Sequence, residues 1–202
     1  MGKLVAVVGN SGVGKTTLTQ QLCAAVPQLT AAFEQHTERP FQALFATDLY
    51  RYGLANQIDY LLYRAEQEQQ LRTETAVGIV DGGLDIDFHG FAKLFYQKGY
   101  LTTAEFELCQ REYILLRQLL RPPEIIIYLT APLDIIKNRY QLRGRALEIA
   151  QQDDLHQLDQ LLQAWVATIH DSVVLTVDAA ADDYTSPEKL APLVAQIQRL
   201  WP

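Results

Sequence analysis

Short apolar runs alternate along the chain with longer segments in which apolar residues recur every three or four positions. The short runs are typical of strands buried on both faces, and the longer pattern is typical of amphipathic helices. Strands that alternate with helices favour a parallel sheet covered on both faces, so we predict an α/β fold with five strands. The predicted strands are Leu4–Val8, Leu29–Phe33, Val77–Asp81, Glu124–Leu129 and Val173–Val177.

The helical segments fill the intervals between these strands. Thr102, followed by Glu105, is typical of a capping box that opens a helix. No stretch has the composition of a linker, so we expect residues 1–202 to form a single domain. The predicted helices are the segment from Thr17, Leu54–Leu71, Phe88–Gln97, the segment from Thr102 to Leu120, Pro132–Leu142, Leu147–His170 and Pro187–Leu200.

The first predicted strand leads directly into a phosphate-binding motif. Gly9 to Thr16 fits the pattern G-x-x-x-x-G-K-[ST], with a strand before it and a helix after it. In this motif the backbone N–H groups surround phosphate oxygens, the Lys15 ammonium reaches the β- and γ-phosphates, and the Thr16 hydroxyl holds Mg²⁺. We therefore predict that the chain binds ATP. The predicted nucleotide-binding residues are Gly9, Asn10, Ser11, Gly12, Val13, Gly14, Lys15, Thr16 and Thr17.

Acidic residues follow two of the other predicted strands. Ligands gather at the carboxyl ends of strands in such sheets, so these acids are candidates for chemistry. Asp81 ends a buried strand and is predicted to serve Mg²⁺ with Thr16, whereas Asp85 is either part of that cluster or a flexible acidic loop residue. Glu38 follows the second strand and could accept a proton from an attacking hydroxyl, or it is a solvated turn residue. Glu34 is a weaker candidate for the same role.

One predicted helix carries Gln57, Tyr60 and Arg64 along a single stripe. An amide on this stripe could make paired donor and acceptor contacts with the edge of a nucleobase. The alternative is an ordinary polar surface face, which is the commoner outcome for such a stripe.

Three arginines near the end of another predicted helix form a local basic cluster. Arg139 and Arg143 lie one turn apart, and Gly144 separates Arg145 from that helix. Guanidinium groups suit phosphate oxygens, and neutralisation of charge is most of what phosphoryl transfer requires. We favour this function over solvated residues that only complement the helix dipole.

Composition and charge narrow the choice of partners. The chain has a formal net charge of −7, which argues against general nucleic-acid binding because phosphate backbones attract basic surfaces. No apolar run approaches the length of a membrane span, and no leader pattern precedes the first predicted strand. Cys23 and Cys109 have neither metal-ligand nor disulfide spacing. We therefore expect a cytoplasmic protein without nucleic-acid or membrane partners.

The chain resembles the deoxynucleoside kinase family over nearly its whole length. The matching segments are Thr37-Glu38-Arg39-Pro40, Asn56-Gln57 with Arg64 seven residues later, Asp87 with Phe91, Tyr128 to Ala131, Arg139 to Arg145, and Asp178 with Asp183-Tyr184. This resemblance implies a P-loop kinase fold with an arginine-bearing LID. It also implies phosphorylation of a deoxynucleoside 5′-hydroxyl by ATP with Mg²⁺, and a homodimer formed through the long helices.

The resemblance also implies roles for individual residues. Glu38 would be the general base, and Lys15 with Arg139, Arg143 and Arg145 would hold the migrating phosphoryl group. Gln57, Arg64 and Asp87 would read the base, and Phe91 would stack on it. Glu148 would contact the sugar 3′-hydroxyl, and Tyr52 or Tyr50 would supply an aromatic contact to the sugar. The Arg64–Asp87 pair favours a purine deoxynucleoside, with deoxycytidine second.

Two positions depart from the family pattern. Gly82 stands after Asp81, where the family has an arginine, and Arg39 is inserted between Glu38 and Pro40. The loss of one guanidinium at a phosphate could cost on the order of 10²-fold in rate. Two alternatives therefore stay open: a nucleoside monophosphate kinase that uses Arg39 for the acceptor phosphate, and a nucleotide-binding regulatory protein that has lost catalysis.

Overall fold

A parallel sheet of five strands forms the centre of the computed structural model, which describes residues 1–33, 39–143 and 154–201, with the backbone alone at residue 143. The strand order is β2-β3-β1-β4-β5, and all four pairings are parallel. This confirms the predicted fold class. The strands are β1 Lys3–Gly9, β2 Thr30–Ala32, β3 Val77–Asp81, β4 Ile125–Thr130 and β5 Val173–Asp178.

Helices cover the sheet on both faces. One π-helical turn, Asp87–Ala92, lies between α4 and α5, and a 3₁₀ turn, Asp182–Thr185, precedes α9. None of the described helices has an apolar stretch long enough to cross a bilayer. Within the described ranges the α-helices are α1 Lys15–Ala25, α2 Pro40–Thr47, α3 Leu49–Glu74, α4 Leu84–Ile86, α5 Lys93–Gln97, α6 Thr103–Leu120, α7 Leu133–Arg143, α8 Leu155–Val166 and α9 Pro187–Gln198.

Strand β1 shows how the sheet divides the core. Its side chains alternate between the two faces, and those from Leu4 to Val8 are all buried on one side or the other. Val5 and Val7 join the cluster that includes Leu22 of α1, whereas Leu4 and Val8 join the cluster that includes Leu162 of α8. A strand buried on both faces therefore appears in the sequence as an unbroken apolar run.

A third apolar cluster lies beyond the sheet, where α3 packs against α5 and α6. It contains Phe45, Leu61, Phe95 and Cys109, and the Phe45 and Phe95 rings lie 4.8 Å apart. The first part of α3 thus packs in this cluster, whereas Leu71 near its end packs in the cluster on the sheet that contains Leu4 and Val8.

Helix boundaries follow local signals where these exist. The predicted capping box is confirmed, since Glu105 N donates to Thr102 Oγ1 at 3.3 Å and Thr102 N donates to Glu105 Oε2 at 2.8 Å. At α3 the Asp48 carboxylate accepts from Arg51 N at 3.0 Å. That cap lies ahead of the predicted start at Leu54, so α3 is longer than its apolar pattern indicated.

Three helical predictions need correction. α2 was not predicted, although Pro40 occupies its first turn, where proline is tolerated. The helix predicted from Phe88 begins at Leu84 and contains the π-helical turn. The helix predicted to run to His170 ends at Val166, and its predicted start at Leu147 lies outside the described residues.

Candidate active site

The phosphate-binding loop joins β1 to α1 at the carboxyl edge of the sheet. Gly14 has φ +113°, and a Cβ atom built on it would lie 2.3 Å from Tyr184 Oη. The Tyr184 hydroxyl itself donates to Gly14 O at 3.2 Å, so the 3₁₀ turn before α9 lies directly on the loop. A cavity of about 480 Å³ opens in front of the loop, lined by Lys15, Thr16 and Asp81 among others. The loop therefore requires glycine at Gly14 for backbone conformation and for space.

The side chains of the loop divide between the cavity and the interior. Lys15 Nζ donates to Gly9 O at 3.1 Å and to Asn10 O at 3.0 Å. The Asn10 side chain is 1% exposed and donates to Leu155 O at 2.7 Å, which braces the loop against α8. Val13 is fully buried in the core. The side chains of Asn10 and Val13 are thus used for packing, and the predicted nucleotide contacts at these two positions would be made by the backbone.

Thr16 and Asp81 meet beneath the cavity. Thr16 Oγ1 donates to Asp81 Oδ2 at 2.5 Å, and Asp81 is 2% exposed at the end of β3. A hydroxyl and one carboxylate are the hard oxygen ligands that Mg²⁺ takes from a protein when phosphates and water complete its shell. Among the described residues there is no group of three or more His, Cys, Asp or Glu side chains that could hold a metal on its own. The two residues thus fit a magnesium ion that arrives with a nucleotide.

Arg139 lies on the wall of the same cavity. Its guanidinium donates to Ala179 O at 2.6 Å and to Asp182 Oδ1 at 2.9 Å, and its central carbon lies 5.8 Å from the Tyr184 ring centroid. Helix α7 is therefore tied to the loop that follows β5. Of the other predicted catalytic residues, Arg143 is described in its backbone alone, and Glu38 and Arg145 lie outside the described residues, as does Glu148, the predicted contact to the sugar.

On the other side of β1, Arg64 and Asp87 form a buried ion pair. Arg64 Nε lies 2.8 Å from Asp87 Oδ2, and the two side chains are 5% and 3% exposed. Arg64 Nη1 also donates to Gln67 Oε1 at 3.2 Å. Gln57 is 1% exposed, and its amide donates to Asp87 O at 2.9 Å. The structure thus brings Gln57, Arg64 and Asp87 together, and the alternative of a polar surface face is wrong for this stripe.

The π-helical turn carries two of the residues predicted to contact the base. Asp87 is its first residue and Phe91 its fifth, and π-helical turns occur frequently at functional sites. Phe91 is half-buried and packs on the cluster that includes Ile86 and Trp165. Tyr52 is also half-buried, but it packs against the cluster of α3, α5 and α6, and Tyr50 is 67% exposed.

Gly82 adjoins this group. It has φ +91°, its N–H donates to Val7 O at 2.9 Å, and a Cβ atom built on it would lie 3.5 Å from Arg64 Nη2. The position at which the sequence lacks the family arginine therefore faces the guanidinium of the buried pair.

A buried charge network behind the site was missed from the sequence. Arg117 of α6 donates to both carboxylate oxygens of Glu68, at 2.6 and 2.9 Å, and its Nε lies 2.9 Å from Asp85 Oδ1. Tyr113 donates to the same Asp85 oxygen at 2.7 Å. Burial raises the pKa of Glu68, opposed by the adjacent Arg117. Asp85 is therefore neither a flexible loop residue nor part of a metal site: it holds α4 to α6.

Arg39 has a partner that the sequence did not reveal. Its Nε and Nη2 donate to the two oxygens of Asp59 at 2.5 and 2.6 Å, and its central carbon lies 4.4 Å from the Tyr63 ring centroid. The hydrogen bond to Asp59 raises the pKa of Arg39. The only signal in the sequence was an arginine where the family pattern has none.

Comparisons with known proteins point to one family. The profile of the deoxynucleoside kinase family matches residues 5–201. The chain is 30% identical to a Bacillus subtilis deoxyadenosine/deoxycytidine kinase over 149 residues, which cover 72% of this chain and 68% of the relative. It is 27% identical to a Dictyostelium discoideum deoxyadenosine kinase over 195 residues, 96% of this chain and 78% of the relative. Among solved structures, a deoxyadenosine kinase from M. mycoides with bound dCTP aligns with a TM-score of 0.79 at 20% identity, covering 97% of this chain and 99% of that one.

Proposed function

The chain belongs to the deoxynucleoside kinase family, and on that premise we propose that it transfers the γ-phosphoryl group of ATP to the 5′-hydroxyl of a purine deoxynucleoside. The observation that carries the proposal is the buried Arg64–Asp87 pair, with the Gln57 amide beside it. The three groups carry hydrogen-bond donors and acceptors beside the end of β3, where Arg64 Nη1 lies 3.4 Å from Asp81 O and Asp81 in turn meets Thr16 of the phosphate-binding loop.

The proposed reaction needs one proton acceptor and several positive charges. Glu38 takes the proton of the 5′-hydroxyl, the 5′-oxygen bonds to the γ-phosphorus, and the bond to the β–γ bridging oxygen breaks to release ADP. Lys15, Arg139, Arg143 and Arg145 offset the charge on the phosphoryl oxygens. Thr16 and Asp81 hold Mg²⁺, which when bound supplies further neutralisation of the phosphates.

The proposal also includes the nucleobase of the preferred acceptor. A fixed Arg64–Asp87 pair can donate to and accept from the exocyclic groups of adenine, guanine or cytosine, so we place deoxyadenosine or deoxyguanosine first and deoxycytidine second. Phe91 would stack on the base, which is worth roughly 0.5–1.5 kcal/mol beyond the area buried. Glu148 and Tyr52 would contact the sugar.

A nucleoside monophosphate kinase is a less favourable second candidate. It would need an arginine for the acceptor phosphate, and Arg39 was the nearest candidate in the sequence. Two of the three Arg39 nitrogens already donate to Asp59, so its charge is neutralised within the protein. The remaining alternative, a regulatory protein without catalysis, rests on the absence of an arginine at Gly82.

A phosphorylation screen tests the proposal. Purified protein with Mg-ATP is given each of the four deoxynucleosides and, separately, each monophosphate. We expect a monophosphate product from deoxyadenosine or deoxyguanosine. Product from thymidine alone would reverse the proposed base preference, product from monophosphates alone would favour the second candidate, and ATP binding without any product would favour the regulatory protein.

The proposal includes a cytoplasmic homodimer. Leu108, Leu115 and Leu119 of α6 are 43%, 57% and 63% exposed and share one helix stripe. An apolar stripe of this kind is suited to pairing with its copy around a two-fold axis. Sedimentation analysis should show a dimer that Leu115→Glu dissociates, and a monomeric wild-type protein would refute this part.

A further inference from the structure

The segment that leads from β3 to Asp87 needs support from other elements. It begins with Gly82 and Gly83, both at positive φ, and Gly83 has no side chain with which to cap the helix that follows. That helix, α4, has three residues and passes directly into the π-helical turn, which is a rare arrangement in helices. The position of the Asp87 carboxylate therefore depends on the side chains that pack against this segment.

Tyr113 of α6 contacts the segment on both sides of Asp87. Its hydroxyl donates to Asp85 Oδ1 at 2.7 Å and lies 3.1 Å from His89 Nε2, so one oxygen joins the residues two positions before and two positions after Asp87. The Tyr113 ring also stacks on Phe88, with the ring centroids 4.3 Å apart and an angle of 8° between the planes. A single side chain thus fixes three close neighbours of Asp87.

Arg117 lies one turn further along α6 and supports the start of the same segment. It donates to both oxygens of Glu68, at 2.6 and 2.9 Å, and its Nε lies 2.9 Å from Asp85 Oδ1. A forked pair of this kind fixes orientation as well as distance. Glu68 Oε1 in turn accepts from Leu84 N at 3.3 Å and so caps the first residue of α4. The cap that Gly83 cannot provide is therefore held in place by α6.

We propose that Tyr113 and Arg117 are positioning residues that set how selectively the acceptor base is bound, because they hold the turn that carries Asp87. This inference rests on the proposed function. Arg64 and Glu68 lie one turn apart on α3, so one helix contacts Asp87 through the first and the start of α4 through the second. The two α6 residues act on the nucleoside only through Asp87 and its pair with Arg64.

This role has a kinetic signature. Contacts to the base are made in the substrate complex and in the transition state alike, so a less firmly held Asp87 should weaken binding in both. The KM for the deoxynucleoside should then rise while kcat stays nearly unchanged. A variant that is only less well folded would instead lower kcat, because fewer molecules are active, and would leave KM as in the wild type. A less firmly held carboxylate also rejects a wrong base less strongly.

The test compares Tyr113→Phe with Tyr96→Phe. Tyr113→Phe keeps the stacked ring and removes the hydroxyl with both of its contacts. Tyr96→Phe is the matched control, because the Tyr96 ring is also stacked, on Phe106 with the centroids 4.6 Å apart, while its hydroxyl is at the surface, 3.4 Å from Thr103 Oγ1.

With the best deoxynucleoside from the phosphorylation screen, we expect the KM of Tyr113→Phe to rise by roughly 5- to 10-fold and kcat to stay within about twofold of wild type. The KM for ATP should also stay within about twofold, because the donor side is untouched. The preference in kcat/KM for that deoxynucleoside over the poorest of the four should narrow by roughly threefold or more. Tyr96→Phe should match the wild type in all of these values.

Hydrogen–deuterium exchange measures the loss of support without turnover. The peptide that covers residues 83–92 should exchange faster in Tyr113→Phe than in the wild type, whereas the peptide of α1 should exchange at the same rate in both. If Tyr113→Phe does not fold, Arg117→Lys replaces it, since lysine keeps a positive charge beside Glu68 and Asp85 but loses the fork. The same rise in the KM for the deoxynucleoside is expected.

A wild-type KM for the deoxynucleoside and unchanged exchange in Tyr113→Phe would overturn the inference and leave the proposed function standing. A fall in kcat with an unchanged KM would also overturn it, because it would assign Tyr113 a merely structural role. No turnover of any deoxynucleoside by the wild-type protein would overturn the proposed function and the inference together.

Discussion

Arg64 and Asp87 meet at 2.8 Å in an environment where both side chains are at most 5% exposed. A charge this deeply buried is tolerated only beside an opposite charge, because the free energy needed to remove it from water is otherwise not offset. The pair also joins α3 to the π-helical turn, so it contributes to the architecture as well as to the proposed recognition of the base.

Removing Asp87 alone should therefore destabilise the fold. We expect Asp87→Ala to lower the free energy of unfolding by about 3–5 kcal/mol, because it leaves a buried guanidinium uncompensated. The double variant Arg64→Met with Asp87→Ala should lose less than the single variant. Urea denaturation measures both, and Lys189→Gln, which breaks an exposed pair with Asp183, should change stability by about 0–1 kcal/mol. A double variant less stable than Asp87→Ala would contradict the explanation.

Glu38→Gln should separate proton transfer from nucleotide binding. The amide keeps the shape of the side chain but cannot accept the hydroxyl proton, so kcat should fall by roughly 10²- to 10⁴-fold. The Kd for Mg-ATP, measured by calorimetry, should be unchanged. Glu34→Gln is the matched comparison, because Glu34 is the competing acid in the same segment. A larger loss of kcat in Glu34→Gln than in Glu38→Gln would transfer the role to Glu34.

Gly14→Ala should abolish tight ATP binding by displacing the phosphate-binding loop. The added methyl would lie 2.3 Å from Tyr184 Oη, at a backbone φ of +113°. Gly99→Ala is the control for conformational strain alone, since Gly99 has φ +75° and no atom within 4 Å of its added Cβ. We expect Gly99→Ala to cost only about 1 kcal/mol of stability, whereas Gly14→Ala raises the Kd for ATP at least tenfold. Equal effects of the two variants on that Kd would exclude the steric explanation.

His89 should make the protein less stable in acid. The Tyr113 hydroxyl has one proton, which it donates to Asp85. The hydrogen bond between His89 Nε2 and the Tyr113 oxygen, 3.1 Å apart, must therefore be donated by His89. In the neutral imidazole the other nitrogen, Nδ1, then carries no proton. Nδ1 is buried without a hydrogen-bond partner among the described residues, and burial, with Lys93 and Arg117 nearby, lowers the pKa of His89 from 6.5 to about 3. The stability that depends on a neutral His89 is therefore fully present above about pH 6.5.

That stability is lost as the pH falls from 6.5 toward 3, at about 1.4 kcal/mol per pH unit. Many carboxylates titrate in the same range, so the informative quantity is the difference between the wild type and His89→Gln. The wild-type curve of unfolding free energy against pH should be steeper by this slope, and parallel curves would refute the assignment.

The sequence predicted well those features that local patterns determine. The apolar runs located the strands, because strands buried on both faces have no polar positions. The loop from Gly9 to Thr16 was predicted because the spacing of its glycines, lysine and threonine is that of a phosphate-binding motif. The Arg64–Asp87 pair was predicted only through the family resemblance. Nothing local to either residue indicates a partner 23 positions away.

What the sequence did not predict depends on contacts between distant segments. Arg117 is one charged residue on an amphipathic helix, and its burial becomes evident only when Glu68 and Asp85 arrive from two other elements. The π-helical turn at Asp87–Ala92 has no apolar period of its own. The role of Arg39 was inferred only from the residues beside it in the sequence, because its partner Asp59 is 20 residues away.

The central position of β1, between β3 and β4, has a consequence for how such an enzyme could diversify. Apart from Glu148, the residues proposed to recognise the acceptor lie between positions 38 and 91, whereas Arg139 and Tyr184, which line the cavity at the phosphate-binding loop, come from beyond β4. The residues proposed to read the base are thus encoded in one uninterrupted stretch of gene. A chimera that exchanges this stretch between two relatives should transfer the proposed choice of nucleoside together with Asp81, while Lys15, Thr16 and Arg139 stay with each parent.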